Sequence, residues 1–457
     1  MKKSVTIKEG IFLLAVILAI IGICIIGFSL PPQIPILFSI GMIMLFAVIK
    51  GFSWDVIHNG ILNGIQPGII PILIFMLIGA LISVWIAAGT IPTIMFFGFS
   101  ILSAQFFLPS VFVICAILGV TVGSSFTTIS TVGIALFGMG QIMGFNPAVT
   151  AGAIISGAFL GNDISPLSDT TNLSSAIAEV DMFDHIRNMM WVTIPSIIVS
   201  IIFFGLMGHP SGASAGNNIE ELVNTIHTAF PNSIITLIPV LVLFLCAWRK
   251  VPAIPTLLLS IVSAIGVCYI YAPHTSLTSI ANIMQDGFIS QTGVASVDVL
   301  LTRGGIQSMM WSVSLILLAL ALGGLLVELK IIETIISKVL GYASTRGKLT
   351  LMTALSSIGV NILLGEAYLS IILPGKAFKS QYNKINLNPT NLSAILANAG
   401  AAVNALVPWG VSGVFIMGTL GVGTLDYFPF AIYCIAAPVI NILIGFIGGK
   451  KIAKATS

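Results

Sequence analysis

The chain has 457 residues, of which 57% are hydrophobic and 7% charged, with a formal net charge of +3 and a mean hydropathy of +1.11. Soluble domains hold roughly 45–50% apolar and about 25% charged residues, so a water-soluble enzyme is excluded and an all-α polytopic membrane protein is indicated. The slight cationic excess carries no nucleic-acid signal, and five cysteines scattered singly through apolar runs offer no metal or redox spacing.

In chain order, the apolar runs 11–26, 34–49, 69–88, 194–206, 306–326 and 430–447 approach or reach the ~20 residues that a spanning helix needs. They run on without strict alternation, which favours helices over a barrel. Lys2, Lys3 and Lys8 precede the first run as in a signal peptide, but no small-residue cleavage site follows, so a retained helix is expected. Lysine and arginine mark cytoplasmic loops. Lys50, Arg187, Arg249, Lys250, Lys330, Lys338, Arg346, Lys348, Lys376, Lys379, Lys384 and Lys450 can all lie inside, while 30–33, 208–232 and 272–302 lie outside. Both termini are then cytoplasmic. Because Lys348 and Lys376 share a side, the apolar stretch between them must enter and return as a re-entrant hairpin.

The chain also matches itself. Gly123, Ile129, Gly133, Ala135, Asn146, Pro147, Asn162, Pro166 and Asp184 recur 242 positions later as Gly365, Ile371, Gly375, Ala377, Asn388, Pro389, Asn404, Pro408 and Asp426. Lys376, Lys379 and Lys384 align with the uncharged Ile134, Phe137 and Ile142, as expected of two copies inserted upside down. The predicted organisation is a first inverted repeat over 1–207, an extracellular linker over 208–233 and a second inverted repeat over 234–457. Each repeat has a re-entrant hairpin and a broken helix, giving about 10–12 membrane segments. Such repeats typify secondary transporters, which bind substrate near the midplane at discontinuous helices.

The polar stretch LGNDISPLSDTTN, Leu160 to Asn172, is the strongest site signal. Pro166 lacks an N–H and disfavours helix at Ser165, so the helix should open there and expose half-helix ends suited to ions. Asn162, Asp163, Ser165, Ser168, Asp169, Thr170, Thr171 and Asn172 surround the opening with hard oxygen donors, with Na⁺ expected at Asp163 and Asp169. A surface loop of ordinary turn residues is the plainer alternative. Against it stand the apolar flanks and the almost uncharged copy around Asn404, Pro408 and Trp409. The first hairpin should turn within 119–130, where Gly123 gives flexibility and Ser124, Ser125, Thr127 and Thr128 either line a cavity or merely allow close packing. In the second copy Gly365 precedes Glu366, with Tyr368 nearby. A carboxylate deep in an apolar run is a functional candidate by default, and proton carriage is its simplest use.

At SPLSDTTNL (165–173), AYLSIILPGKAFK (367–379) and LVPWG (406–410) the chain resembles the NhaC-type Na⁺/H⁺ antiporters of the ion-transporter superfamily, over nearly its whole length. The resemblance implies two inverted units with hairpins and broken helices, and proton-coupled exchange of Na⁺, or of malate for lactate in one branch. Two departures bear on substrate. Asn162 stands where an aspartate is usual, and 396–405 carries no acid where one is typical, which opens the alternative of an organic acid or amino-acid-like solute. The expected setting is a bacterial inner membrane. The expected partners are Na⁺ and H⁺ or a small organic anion, the bilayer and a second copy in a homodimer, with no cofactor.

Three other classes fit less well. An intramembrane aspartyl protease needs two carboxylates from different helices, whereas Asp163 and Asp169 share one segment. A pump needs a nucleotide site, and 341–349 has the wrong glycine spacing for a phosphate loop. A passive channel needs no coupling acid.

Overall fold

The computed structural model describes residues 5–28, 30–208, 215–340 and 345–447. The lysines before residue 5 and after 447, and residues 341–344 of the 341–349 turn, therefore lie outside the described residues. Within them the regular secondary structure is helical apart from one isolated bridge between Phe288 and Arg303, with turns and irregular segments between the helices. Eight helices are long and apolar enough to cross a membrane, or up to 11 if each bent pair counts as one span. The protein is a multi-pass, all-α membrane protein.

Helices form over the expected runs at Ile7–Gly22, Gln33–Ile49, Ile69–Ala87, Met182–Leu206, Ile306–Glu328 and Ile432–Ile447, with another long apolar helix at Ala253–Tyr271. Three features differ from the sequence reading. Trp54–Ala87 is one 34-residue helical run through a 3-10 turn at Gln66–Gly68, whereas the apolar run read from the sequence begins only at residue 69. Within 208–233 a helix, Ala215–Ala229, buries Leu222 and Ile226 before a 90° bend into Ile234–Trp248. The segment 272–302, expected outside, contains helices Leu277–Asp286 and Ala295–Leu301. Such short amphipathic elements do not register in a search for continuous apolar runs.

Two units with the same element order dominate the centre. The first is a hairpin of Phe107–Val122 and Ser125–Ile142, a helix broken between Pro147–Asp163 and Asp169–Ala178, and Met182–Leu206. The second is a hairpin of Arg346–Leu364 and Ala367–Lys384, a helix broken between Pro389–Leu406 and Val411–Leu420, and Ile432–Ile447. The turns are built alike. Gly123 and Gly365 end the first hairpin arms in left-handed conformations, φ 70° and 67°, which only glycine adopts cheaply. The next residue of each starts the return arm as N-cap: the Ser124 hydroxyl accepts from the Thr127 N–H at 3.2 Å, and the Glu366 carboxylate accepts from the Leu369 N–H at 2.7 Å. Asn146 and Asn388 cap the broken helices, each followed by a proline in the first turn. Both second half-helices end on a left-handed residue, Glu179 or Gly421, again 242 positions apart.

Close packing then brings each hairpin against its own broken helix. In the first unit the helices meet through glycines. A Cβ on Gly157 would lie 2.2 Å from the Phe112 carbonyl oxygen, and one on Gly161 2.3 Å from that of Ala116, so no larger residue fits this crossing.

Candidate functional site

Both breaks occur where proline interrupts the backbone. Residues 164–168 around Pro166 and 407–410 around Pro408 leave the helix, and the freed groups are satisfied locally. The Thr171 hydroxyl donates to the carbonyls of Asn162 and Asp163, both at 3.1 Å, and the Asn172 amide donates to those of Ser168 at 2.8 Å and Pro166 at 3.3 Å. The Ser168 hydroxyl caps the second half-helix. Ser165 fastens the break to the first hairpin through the Val120 carbonyl at 2.7 Å. In the second unit the Trp409 indole N–H donates to the Ile362 carbonyl at 2.6 Å. Asn404 donates to Asn361 Oδ1 at 2.8 Å and to the Gly365 carbonyl at 3.1 Å, and accepts from the Ser412 N–H at 2.8 Å. Each break is thus anchored to the tip of its hairpin.

The two anchored pairs enclose one cavity of about 590 Å³. The first hairpin tip contributes Gly123, Ser124, Ser125 and Thr127, and the first break contributes Asn162, Asp169 and Thr170. The second hairpin tip contributes Glu366 and Tyr368, and the second break contributes Asn404. Residues far apart in sequence therefore converge, with a carboxylate from each unit. Ile70, Ile74 and Phe159 form apolar walls, and the cavity extends to the turn at Lys250, Val251 and Pro252. Behind the first hairpin tip, Phe126 packs on Phe415 with ring centroids 4.5 Å apart, and Phe75 lies 4.9 Å from Phe415.

The remaining sequence candidates sit elsewhere. Ser165, Ser168, Thr171, Asn172 and Trp409 hold the breaks together by the bonds above, and Pro166, Pro408 and Gly365 shape the backbone. Asp163 is fully buried and outside the cavity lining, its Oδ2 accepting from the Tyr433 hydroxyl at 3.0 Å. The structure consequently does not bring Asp163 and Asp169 into a shared Na⁺ pocket. Asp163 ends one half-helix, Asp169 begins the next, and the intervening turn directs only the latter into the cavity. Among the described residues no cluster of three or more histidine, cysteine or acidic side chains could hold a metal ion. Sequence reasoning missed Lys250, Ser412 and Tyr433. Ser412 was recoverable, since it lies 242 positions after Thr170. Nothing local in the sequence marks the other two.

Paired broken helices around a polar, two-carboxylate cavity define a membrane protein of the secondary-transporter class. A family model described as the Na⁺/H⁺ antiporter family matches residues 3–181 and 163–449. The chain is 40% identical to the Na⁺/H⁺ antiporter NhaC of Alkalihalophilus pseudofirmus, over 98% of this chain and 97% of that one. It is 38% identical to NhaC of Bacillus subtilis, over 98% and 99%. A malate-2H⁺/Na⁺-lactate antiporter of Bacillus subtilis is 33% identical over 97% and 95%. The chain belongs to the Na⁺/H⁺ antiporter family.

Proposed function

We propose that this protein exchanges Na⁺ for H⁺ across a bacterial cytoplasmic membrane by alternating access. The carrying observation is that Asp169 and Glu366, one acid from each unit, line the same cavity beside hydroxyls and half-helix ends. Hard oxygen donors match Na⁺, and each carboxylate can carry either the cation or the proton, so the two compete for the same groups. Ser124, Ser125, Thr127, Asn162 and Thr170 supply neutral oxygens around them.

The two units are read as inverted copies, 1–207 and 234–457 joined by a linker over 208–233, with both termini in the cytoplasm. The gapless correspondence of turns and caps supports a duplication, and the lysines of the second hairpin opposite bare positions of the first support opposite insertion. On this topology the cavity reaches the cytoplasmic turn at Lys250, while the Phe75, Phe126 and Phe415 rings back it on the other side. The conformation is then inward-facing, and exchange requires the units to rock so that the aromatic barrier parts.

A second reading has a specific observation in its favour. A cavity of about 590 Å³ far exceeds one ion, and a lysine, Lys250, among its lining residues suits an organic acid. One assay separates the two. In everted vesicles with an imposed pH gradient, Na⁺ alone should collapse the gradient. A response requiring malate or lactate supports the organic-acid reading, and no response to any of these solutes overturns both.

A further inference from the structure

Asp163 is a costly side chain to bury. It is 0% exposed, Oδ1 has no hydrogen-bond partner among the described residues, and Oδ2 is held by Tyr433, 270 residues away. Burying a carboxyl with an unmet oxygen costs free energy that packing does not return. The fold does not require it. The position 242 residues on is Ala405, at the end of the second broken helix, and the position 242 before Tyr433 is Trp191, 65% exposed on the outer face. The second unit makes the same break with neither residue. A plain structural role for the pair therefore leaves its occurrence in one unit alone without a reason.

The surrounding geometry supplies one. Asp163 directly follows Asn162, whose side chain lines the cavity and bonds Thr170 at 3.0 Å. It directly precedes the non-helical turn 164–168, so it ends a half-helix instead of lying within one. Adjacent helical residues point about 100° apart, so a modest change at the end of this half-helix carries the carboxyl toward the cavity wall. The helix bearing Tyr433 belongs to the other unit and is attached here twice, since the Tyr433 N–H also donates to the Ser156 hydroxyl at 3.3 Å.

We infer that Tyr433 is a positioning residue for exchange: its hydroxyl holds the Asp163 carboxyl out of the cavity in this conformation and thereby sets how tightly the cavity binds its cation. This rests on the exchange reading above. Movement between the units would break or remake the bond, so the cavity's acidity would change with conformation.

The test is the Na⁺ dependence of exchange in vesicles for the wild type, Tyr433→Phe, Asp163→Asn and the double variant. Releasing Asp163 adds a carboxyl to the cavity, so Tyr433→Phe should lower the Na⁺ KM on the order of tenfold or more, the scale of a lost hydrogen bond to a charged group, and lower kcat with it as release slows. In the Asp163→Asn background the tyrosine substitution should leave KM unchanged. A merely structural tyrosine would lower the amount of folded protein and kcat without moving KM, and that result overturns the inference, as does a KM shift that persists without Asp163. If Tyr433→Phe does not accumulate, a ring-fluorinated tyrosine at 433 gives the opposite sign. Its stronger donor should raise KM, and an unchanged KM again overturns the inference. A wild type with no Na⁺-dependent exchange instead refutes the exchange reading itself.

Discussion

Glu366 offers the cleanest separation of chemistry from architecture, because one carboxylate does two jobs. It caps the return arm of the second hairpin through the Leu369 N–H at 2.7 Å, and it faces the cavity while only 3% exposed. Glu366→Gln keeps a side-chain oxygen that can accept the same bond but removes the ionisable group. The lost charge at a helix N-terminus costs about 0.3–1 kcal/mol, which in a chain of this size should lower the melting temperature in detergent by about 2 °C or less. Exchange should nevertheless fall to the level of empty vesicles, read as loss of the Na⁺-induced recovery of a pH-sensitive dye. Glu366→Ala removes the cap as well, adding about 0.5–2 kcal/mol of destabilisation without reducing exchange further. Glu366→Asp retains both acid and cap and should keep exchange with a shifted Na⁺ dependence. Wild-type exchange by Glu366→Gln would refute the assignment of this residue to coupling.

Asp169→Asn should likewise abolish exchange, since Asp169 is the acid that the first unit contributes to the cavity. Its place in the first turn of Asp169–Ala178 is worth only about 0.3–1 kcal/mol, so yield and membrane insertion should hold; full activity would contradict the site. A cysteine at Ser124 should react with small thiol reagents and be protected by Na⁺, whereas one at Ser168, fully buried at the break, should stay unreactive; equal labelling of the two would show that the break is open to water. Gly161→Ala places a methyl 2.3 Å from the Ala116 carbonyl oxygen and should cost about 1–3 kcal/mol by overpacking, seen as reduced folded protein; an unchanged yield and melting temperature would mean that the hairpin and broken helix are not packed as described.

How much of this was readable in the sequence depended on the kind of signal. The long apolar runs announced their helices because burial in lipid demands continuous hydrophobicity. Asn-Pro at 146–147 and 388–389, and the prolines at 166 and 408, announced starts and breaks because each imposes a backbone constraint wherever it occurs. The hairpin turns at Gly123 and Gly365 were legible for the same reason. What stayed hidden was direction. The polarity of 160–172 marks a site, but whether Asp163 or Asp169 faces the cavity depends on the path of five non-helical residues, and the sequence sets no rotation there. Lys250 was legible as a loop cation. Its approach to the cavity depends on how Ile234–Trp248 packs beside the first hairpin and Ala253–Tyr271 on Ile69–Ala87, a long-range fact with no local trace. The short helices at Trp54–Ile65, Ala215–Ala229 and Leu277–Asp286 were missed because a few buried residues on one face leave no continuous apolar run.

The division of the acids between the units bears on mechanism. Backbone-shaping residues recur at the 242-residue interval, but the two acids lining the cavity do not: Asp169 corresponds to Val411, and Glu366 to Ser124. If each unit had kept both, four carboxylates would share one cavity. Like charges a few ångströms apart repel by about 4 kcal/mol per pair at an effective dielectric of 20, enough to force most of them to remain neutral whatever the ion gradient. One acid from a broken helix and one from a hairpin tip of the other unit avoid that load. On the exchange reading proposed above, they also place the bound charge across the surface along which the units would move. Rocking then changes the separation of the two acids, and with it the affinity for a cation held between them, which is the differential binding that alternating access needs. A pair of acids within one unit would travel together as a rigid body and offer the cation the same site on both sides of the membrane.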